Sequence, residues 1–320
     1  MKFSYSRVSS YRQCKQQHYF GYIEEIKPKT TSRPLSFGGD IHRLLEATYG
    51  NERNIFDELA AIRDTYENLT EDKQMSLGET YLEDLETVLE DYKISNPPIA
   101  GVTLIGTEIK FEIPTNVKSA DGTVSVFNGV IDKLEQDSDG NYLVTDYKTF
   151  SRKPDSDMLV MNTQSMLYAK AVEILYGKKP TKMVWKYIKS TPADEPIFLE
   201  KSQRLSRAFS DKVTLESWNR ACTRHCLEDA LTDEEREKLI QNRSSYYFTV
   251  ELPVLPIMVE RIWKDFLKTV REMKWYSNSK VMNISSNCSW CDYKPICLAQ
   301  CTGADVEYIK QKDYEKRERK

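Results

Sequence analysis

The spacing of hydrophobic positions along this 320-residue chain changes from helical to alternating and back. In "LSFGGDIHRLLEATYG", residues 35–50, Ile41, Leu44, Leu45 and Thr48 recur at helical spacing, and His42 is expected in the first turn of that helix. A shorter helix is expected around Tyr11 to Tyr22, ahead of the break "KPKTTSRP". Residues 52 to 94 keep the helical period, with Leu59, Ile62, Tyr66 and then Leu82, Leu85, Leu89 and Tyr92 as apolar stripes, until "SNPP" stops them.

From residue 102 the period drops to two. "TLIGTEIKFEI", "TVSVFNGVIDKLEQ" and "NYLVTDYKTF" are β-branched and aromatic runs, the last two joined by the hairpin signal "DSDG". "DMLVMNTQSMLYAKAVEILYG" then predicts an amphipathic helix closed by Gly177, and "TKMVWKYIK" a fourth strand. The order helix, three strands, helix, strand predicts an α/β fold with a mixed central sheet flanked by helices. Helices are expected around 203 to 240 and over "PIMVERIWKDFLKTVREMKW", and the tail "KQKDYEKRERK" reads as solvated.

Composition narrows the class. With 40% hydrophobic and 11% aromatic residues the chain has material for one substantial core or two modest ones, and a net charge of -3 requires any nucleic-acid contact to use a local basic groove. No apolar run approaches the roughly 20 residues of a membrane span, so no membrane partner is expected. The seven cysteines are odd in number, and "MKFSYSRVSS" lacks the basic-then-apolar run of a secretion signal. A reduced, cytoplasmic setting is expected, where clustered thiols read as metal ligands rather than disulfides.

The chemistry concentrates on the hairpin. Asp146 and Lys148 stand two apart in one strand and share a face while Tyr147 points away, and the hairpin brings Asp132 beside them. Two carboxylates that close repel each other unless a hard cation such as Mg²⁺ or Mn²⁺ lies between them. A lysine there orients or deprotonates water and opposes charge developing on a phosphorane, which is equipment for phosphodiester hydrolysis.

The ordered set "GGDIHRLLE", "GVIDKL", "DYKT" and "QSMLY" resembles the RecB-like branch of the PD-(D/E)XK nuclease superfamily, over about residues 4 to 300. The resemblance implies a restriction-endonuclease-like αβββαβ core, metal binding by His42, Asp132 and Asp146, and Lys148 as the catalytic lysine. It makes Gln164 and Tyr168 supports of the site and the DNA, and Glu108 a further metal ligand, with Glu112 the competing acid in the same strand. Ile131 stands where the superfamily has Pro before the first Asp.

The thiols extend the resemblance. "NCSWCDYKPIC" places Cys288, Cys291 and Cys297 within ten positions, and the fourth ligand of a zinc knuckle there is either Cys301 or a distant cysteine. "SYSRVSSYRQC" is similar to the opening run of iron-sulfur members of the same branch, as in AddB-type subunits, with Lys15 in place of the family's Pro. The resemblance implies a 4Fe-4S cluster on Cys14, Cys288, Cys291 and Cys297, with structural zinc as the alternative. Such a cluster staples the two ends of the chain. Cys222 and Cys226 are expected to stand apart, and Cys301 to be spare.

These readings divide the chain into an N-terminal segment (1–35), a nuclease core (36–190) with a helical insertion (51–99), a mainly helical region (191–275), the cysteine region (276–304) and a polar tail (305–320). The expected activity is that of an Mg²⁺- or Mn²⁺-dependent DNA exonuclease acting on ends or single strands in replication, recombination or repair. The alternatives are a non-catalytic DNA-end-binding subunit and a structure-specific endonuclease. No GxxxxGK[ST] loop occurs, so a motor, if one is needed, is expected from a helicase or recombinase in trans. Nineteen tyrosines and five tryptophans suit stacking of unpaired bases, with "RVSSYRQCK", "SFGGDIHR" and "KTFSRK" available for phosphate contacts.

Overall fold

The computed structural model describes residues 1–50, 54–97, 99–154, 162–228, 230–276 and 278–317. The chain opens with β1 (Lys2–Phe3), α1 (Tyr5–Gln13), α2 (Lys15–His18), a π-helical turn (Tyr19–Ile23) and β2 (Ile26–Pro28). Ser4 caps α1 by accepting the Arg7 N–H, so the first helix starts well before the expected Tyr11. It ends at Cys14, whose extended backbone (φ −160, ψ 117) separates α1 from α2. Long-range bonds compensate for the break, with the Gln16 N–H donating to the Val281 carbonyl at 3.1 Å.

α3 (Arg33–Tyr49) also begins earlier than its apolar stripe suggested, and His42 lies mid-helix rather than in the first turn. Pro34 suits the start of the helix. The helical cost of Gly38 and Gly39 is overridden by packing. Phe37 is fully buried, and at Gly38 a Cβ would come within 3.0 Å of Thr149 Oγ1, so α3 approaches the sheet closely there.

The insertion forms α4 (Ile55–Glu67), α5 (Glu71–Leu77) and α6 (Tyr81–Ser95). Leu85, Val88, Leu89 and Tyr92 of α6 pack with Phe37, Ile41, Leu44 and Leu45 of α3. Each such side chain contributes about 1.5–3 kcal/mol of burial.

β3 (Thr103–Lys118), β4 (Val124–Gln136) and β5 (Tyr142–Phe150) follow as antiparallel neighbours, then α7 (Thr163–Tyr176) and β6 (Lys182–Lys189), which runs parallel to β5. Asn162 caps α7, and Gly177 ends it in the left-handed region at φ 72. The expected start of this helix at 157–161 lies outside the described residues.

The stretch expected to be mainly helical contains β7 (Phe198–Leu199), β8 (Arg204–Leu205), α8 (Leu215–Arg224), α9 (Asp233–Asn242) and β9 (Tyr247–Pro253). β9 pairs antiparallel with β6 and extends the sheet, whose order is β1-β4-β5-β6-β9 with β3 on the other edge of β4. Its partner lies some sixty residues upstream, so local spacing alone did not mark it as a sheet strand. α10 (Pro256–Tyr276) then packs with α7 on the sheet face that carries Phe127, Ile131 and Val144, while α3 and α6 cover Tyr147 and Ile188 on the other.

The chain ends with α11 (Lys294–Thr302), α12 (Val306–Asp313) and β10 (Tyr314–Lys316). β10 pairs antiparallel with β2, and Tyr314 joins Phe20, Ile26, Tyr293 and Ile296 in a small core. The solvated tail expected from its charge is therefore replaced over 306–316 by a helix and a strand, because Tyr314 and the Lys310–Glu24 ion pair (2.6 Å) anchor it. Among the described residues no helix is long and apolar enough to cross a membrane.

Candidate active site and thiol cluster

The site lies where one edge of β4 is left open. β3 occupies one edge of β4 throughout. The other edge is shared, with β1 pairing at Val126 and Phe127 and β5 pairing only from Lys133 onward. Asp132 stands at the fork where β4 and β5 part, and its carboxylate replaces the missing ladder bond by accepting the Tyr147 N–H at 2.8 Å.

Tyr147 also sets the imidazole. His42 Nε2 lies 3.0 Å from the Tyr147 carbonyl, which accepts only, so Nε2 carries the proton. Nδ1 then faces Asp132 Oδ2 at 3.5 Å. Two lone-pair atoms meeting this way need a proton or a cation between them. Glu108 completes the group: the pairs Thr107–Lys133 and Ile109–Ile131 flank Glu108 and Asp132, so the two acids stand opposite each other. One ligand atom each from His42, Glu108 and Asp132 lie within 4.8 Å of one another. Glu108 holds a left-handed backbone (φ 46), a strained conformation for a residue with a Cβ. Glu112, the competing acid, pairs with Lys2 at the surface.

Asp146 and Lys148 form the adjoining half. Lys148 Nζ lies 2.6 Å from Asp146 Oδ2 and 3.3 Å from Gln164 Oε1, and Gln164 Nε2 donates to Asp146 Oδ1 at 3.1 Å. The glutamine from α7 thus holds both charged groups from β5. Burial pushes the Asp146 carboxyl up to about 6, with the charge of Asp132 adding and that of Lys148 opposing. Burial likewise raises Tyr168 to about 12, so its hydroxyl remains a proton donor. Every residue expected at the catalytic centre is brought into this region, with His42, Glu108 and Asp132 as one subset and Asp146, Lys148 and Gln164 as the other. The donor set, one imidazole nitrogen and several carboxylate oxygens, suits a divalent metal ion.

Two contributors escaped the sequence reading. The Tyr147 backbone clamp is invisible in any side-chain motif. Trp185, beside Asp146 in the parallel register, places its ring 5.5 Å from Lys148 Nζ and is fixed by donating its indole N–H to Ser165 Oγ at 2.8 Å. Its position in "TKMVWKYIK", the strand that follows the helix of Gln164, was the available signal.

The second centre joins the chain ends. Cys14, Cys288, Cys291, Cys297 and Cys301 line one recess of about 150 Å³, walled by apolar side chains including Ile284 and Leu298. Backbone N–H groups already point at the sulfurs: Asn283 donates to Cys14 Sγ at 3.4 Å and Ser285 to Cys288 Sγ at 3.5 Å. Burial, then the crowding by Cys291, Cys14 and Cys288, pushes the Cys297 thiol up to about 11. Such a thiol gives up its proton to a cation readily but to solvent reluctantly, so the donor set fits a thiolate-bound metal. Among the described residues no three cysteine sulfurs lie within 4.8 Å of one another. The region also has its own small core around Tyr293 and Ile296, so it does not depend on a metal alone. Cys222 is buried in a separate cluster with Trp218 and Leu239.

No curated protein matches this chain. Among solved structures, the crystal structure of SSO0001 shares 13% identity over 91% of this chain and 94% of that one, at a TM-score of 0.30. The crystal structure of Scheffersomyces stipitis Rai1 in complex with (3'-NADP)+ and calcium ion shares 14% identity over 85% and 81%, at a TM-score of 0.16. Scores this low support no argument from either. A family model for the PD-(D/E)XK nuclease superfamily, by contrast, matches residues 2–298. With nearly its whole length matched and its central mixed sheet flanked by helices, the chain belongs to the PD-(D/E)XK nuclease superfamily of metal-dependent nucleases.

Proposed function

We propose that this protein is an Mg²⁺- or Mn²⁺-dependent DNA exonuclease that processes ends or single strands in replication, recombination or repair. The observation that carries the reading is the convergence of His42, Glu108 and Asp132 beside the Asp146–Lys148–Gln164 set. In this reading His42, Glu108, Asp132 and Asp146 hold the ion. When bound, the ion supplies Lewis acidity toward the scissile phosphodiester.

The remaining work falls to the chain. Lys148, tethered by Asp146 and Gln164, presents an ammonium that opposes negative charge building on the phosphoryl oxygens. Gln164 keeps that ammonium and the Asp146 carboxylate in fixed relation, and burial keeps the Tyr168 hydroxyl protonated beside Gln164. Trp185 forms a flat wall that limits the positions open to Lys148.

The thiol centre is assigned a 4Fe-4S cluster on Cys14, Cys288, Cys291 and Cys297. Four cysteines of one recess supply the four thiolates that a cubane takes. The cluster secures the ends of the chain next to the nuclease core, and a helicase or recombinase supplies any unwinding in trans.

The test uses anaerobically reconstituted protein on linear and covalently closed single-stranded DNA. Digestion of the linear substrate is expected only with Mg²⁺ or Mn²⁺, with the circle left whole and Lys148→Ala inactive. Cutting of the circle would make the enzyme an endonuclease, and full activity of Lys148→Ala would refute the site.

A further inference from the structure

Cys301 is the fifth thiol lining the recess at the chain ends. We propose that Cys301 is a reserve metal ligand, positioned one helical turn from Cys297 to take its place at the cluster when Cys297 is lost; this rests on the cluster assignment above.

Both residues lie on α11 and share a face, because residues four apart in a helix are neighbours, with Cβ atoms about 5–6 Å apart. Cα–Cβ bonds tilt toward the helix N-terminus, so Cys301 leans over the turn bearing Cys297 rather than away from it. Both thiols line the same recess. Packing does not lock Cys301 in place, since it is exposed. It also sits in the last turn of α11, which ends at Thr302 before Gly303 at φ 74. A terminal turn tightens or shifts at little cost because its carbonyls are not all held within the helix. Cys222 and Cys226 have no such relation to the recess.

The exchange balances without a redox partner. The Fe–S bond to Cys297 breaks and that thiolate takes up a proton, while the Cys301 thiol releases a proton to solvent and its thiolate forms the new Fe–S bond. Ligand type, cluster charge and oxidation state are unchanged.

Wild type, Cys301→Ala, Cys297→Ala and the double variant are reconstituted anaerobically. Iron, sulfide and visible absorption are measured, and thiols left free are alkylated with iodoacetamide and located by peptide mass. Wild type and Cys301→Ala are expected to fill fully, Cys297→Ala to keep at least half the iron, and the double variant to hold about tenfold less. Cys301 should be alkylated in the filled wild type and protected in filled Cys297→Ala. Equal emptiness of Cys297→Ala and the double variant, or equal labelling of Cys301 in both filled proteins, overturns the proposal. A second measurement leaves Cys297 in place: under peroxide, filled Cys301→Ala should bleach several-fold faster than wild type, and equal rates count against a reserve role. Wild type that takes up neither iron nor sulfide overturns the cluster assignment itself.

Discussion

Asp132 accepts the backbone N–H of Tyr147 at 2.8 Å, at the point where the β4–β5 ladder stops. The same Tyr147 receives the His42 Nε2 proton on its carbonyl. One residue of backbone therefore orients two side chains that arrive from a helix and from a different strand, and a carboxylate does the work of a strand partner.

That dual role separates two substitutions. Asp132→Asn keeps an oxygen for the Tyr147 N–H and loses the charge, so its melting temperature should stay close to wild type while DNA digestion falls by at least about a hundredfold, the scale of a lost metal-site interaction. Asp132→Ala also strands the N–H, costing a further 1–3 kcal/mol or so. Thermal melts beside digestion assays check this, and equal melting temperatures for the two variants would show that the hydrogen bond is not structural.

Glu108 occupies left-handed backbone at φ 46, which glycine adopts freely and alanine does not. Glu108→Gly should therefore be more stable than Glu108→Ala by about 1 kcal/mol. Both should weaken Mn²⁺ binding to the same degree, since each removes the carboxylate. Denaturant titration paired with Mn²⁺ binding by electron paramagnetic resonance separates the two effects.

Gln164 ties Asp146 to Lys148 without carrying charge. Gln164→Ala should lower kcat by roughly 10–100-fold, as loss of a supporting contact does in metal sites. KM should change little. A variant with normal kcat and a raised KM would reassign Gln164 to DNA binding.

His18 supplies a pH signature. It is completely buried against Tyr11 and Tyr22, and burial, with Arg7 nearby, depresses it from 6.5 to about 4. The folded state thus refuses a proton that the unfolded chain accepts. Its contribution to stability is complete above pH 6.5 and is lost as pH falls toward 4, a loss of about 3 kcal/mol over that window. His18→Phe should flatten the stability profile between these values in denaturant titrations; an unchanged slope would mean that other groups cause the acid sensitivity.

Local periodicity was sufficient for the element order of the core, because burial of one face imposes a spacing of two on strands and of 3.6 on helices wherever a sheet packs against helices. The alternation around Asp146 and Lys148, the stripe of Ile41, Leu44 and Leu45, and the close-set Cys288, Cys291 and Cys297 all follow from short-range geometry. Helix beginnings, the strand β9 and the β2–β10 clasp did not, since each is stabilised by partners distant in sequence: Thr149 beneath Gly38, β6 beside β9, and Phe20 and Ile26 around Tyr314. The meeting of His42, Glu108 and Asp132 belongs to that second kind. It depends on where β5 leaves the edge of β4, and a ladder's stopping point is set by the packing of the whole sheet rather than by the residues that stand at the gap.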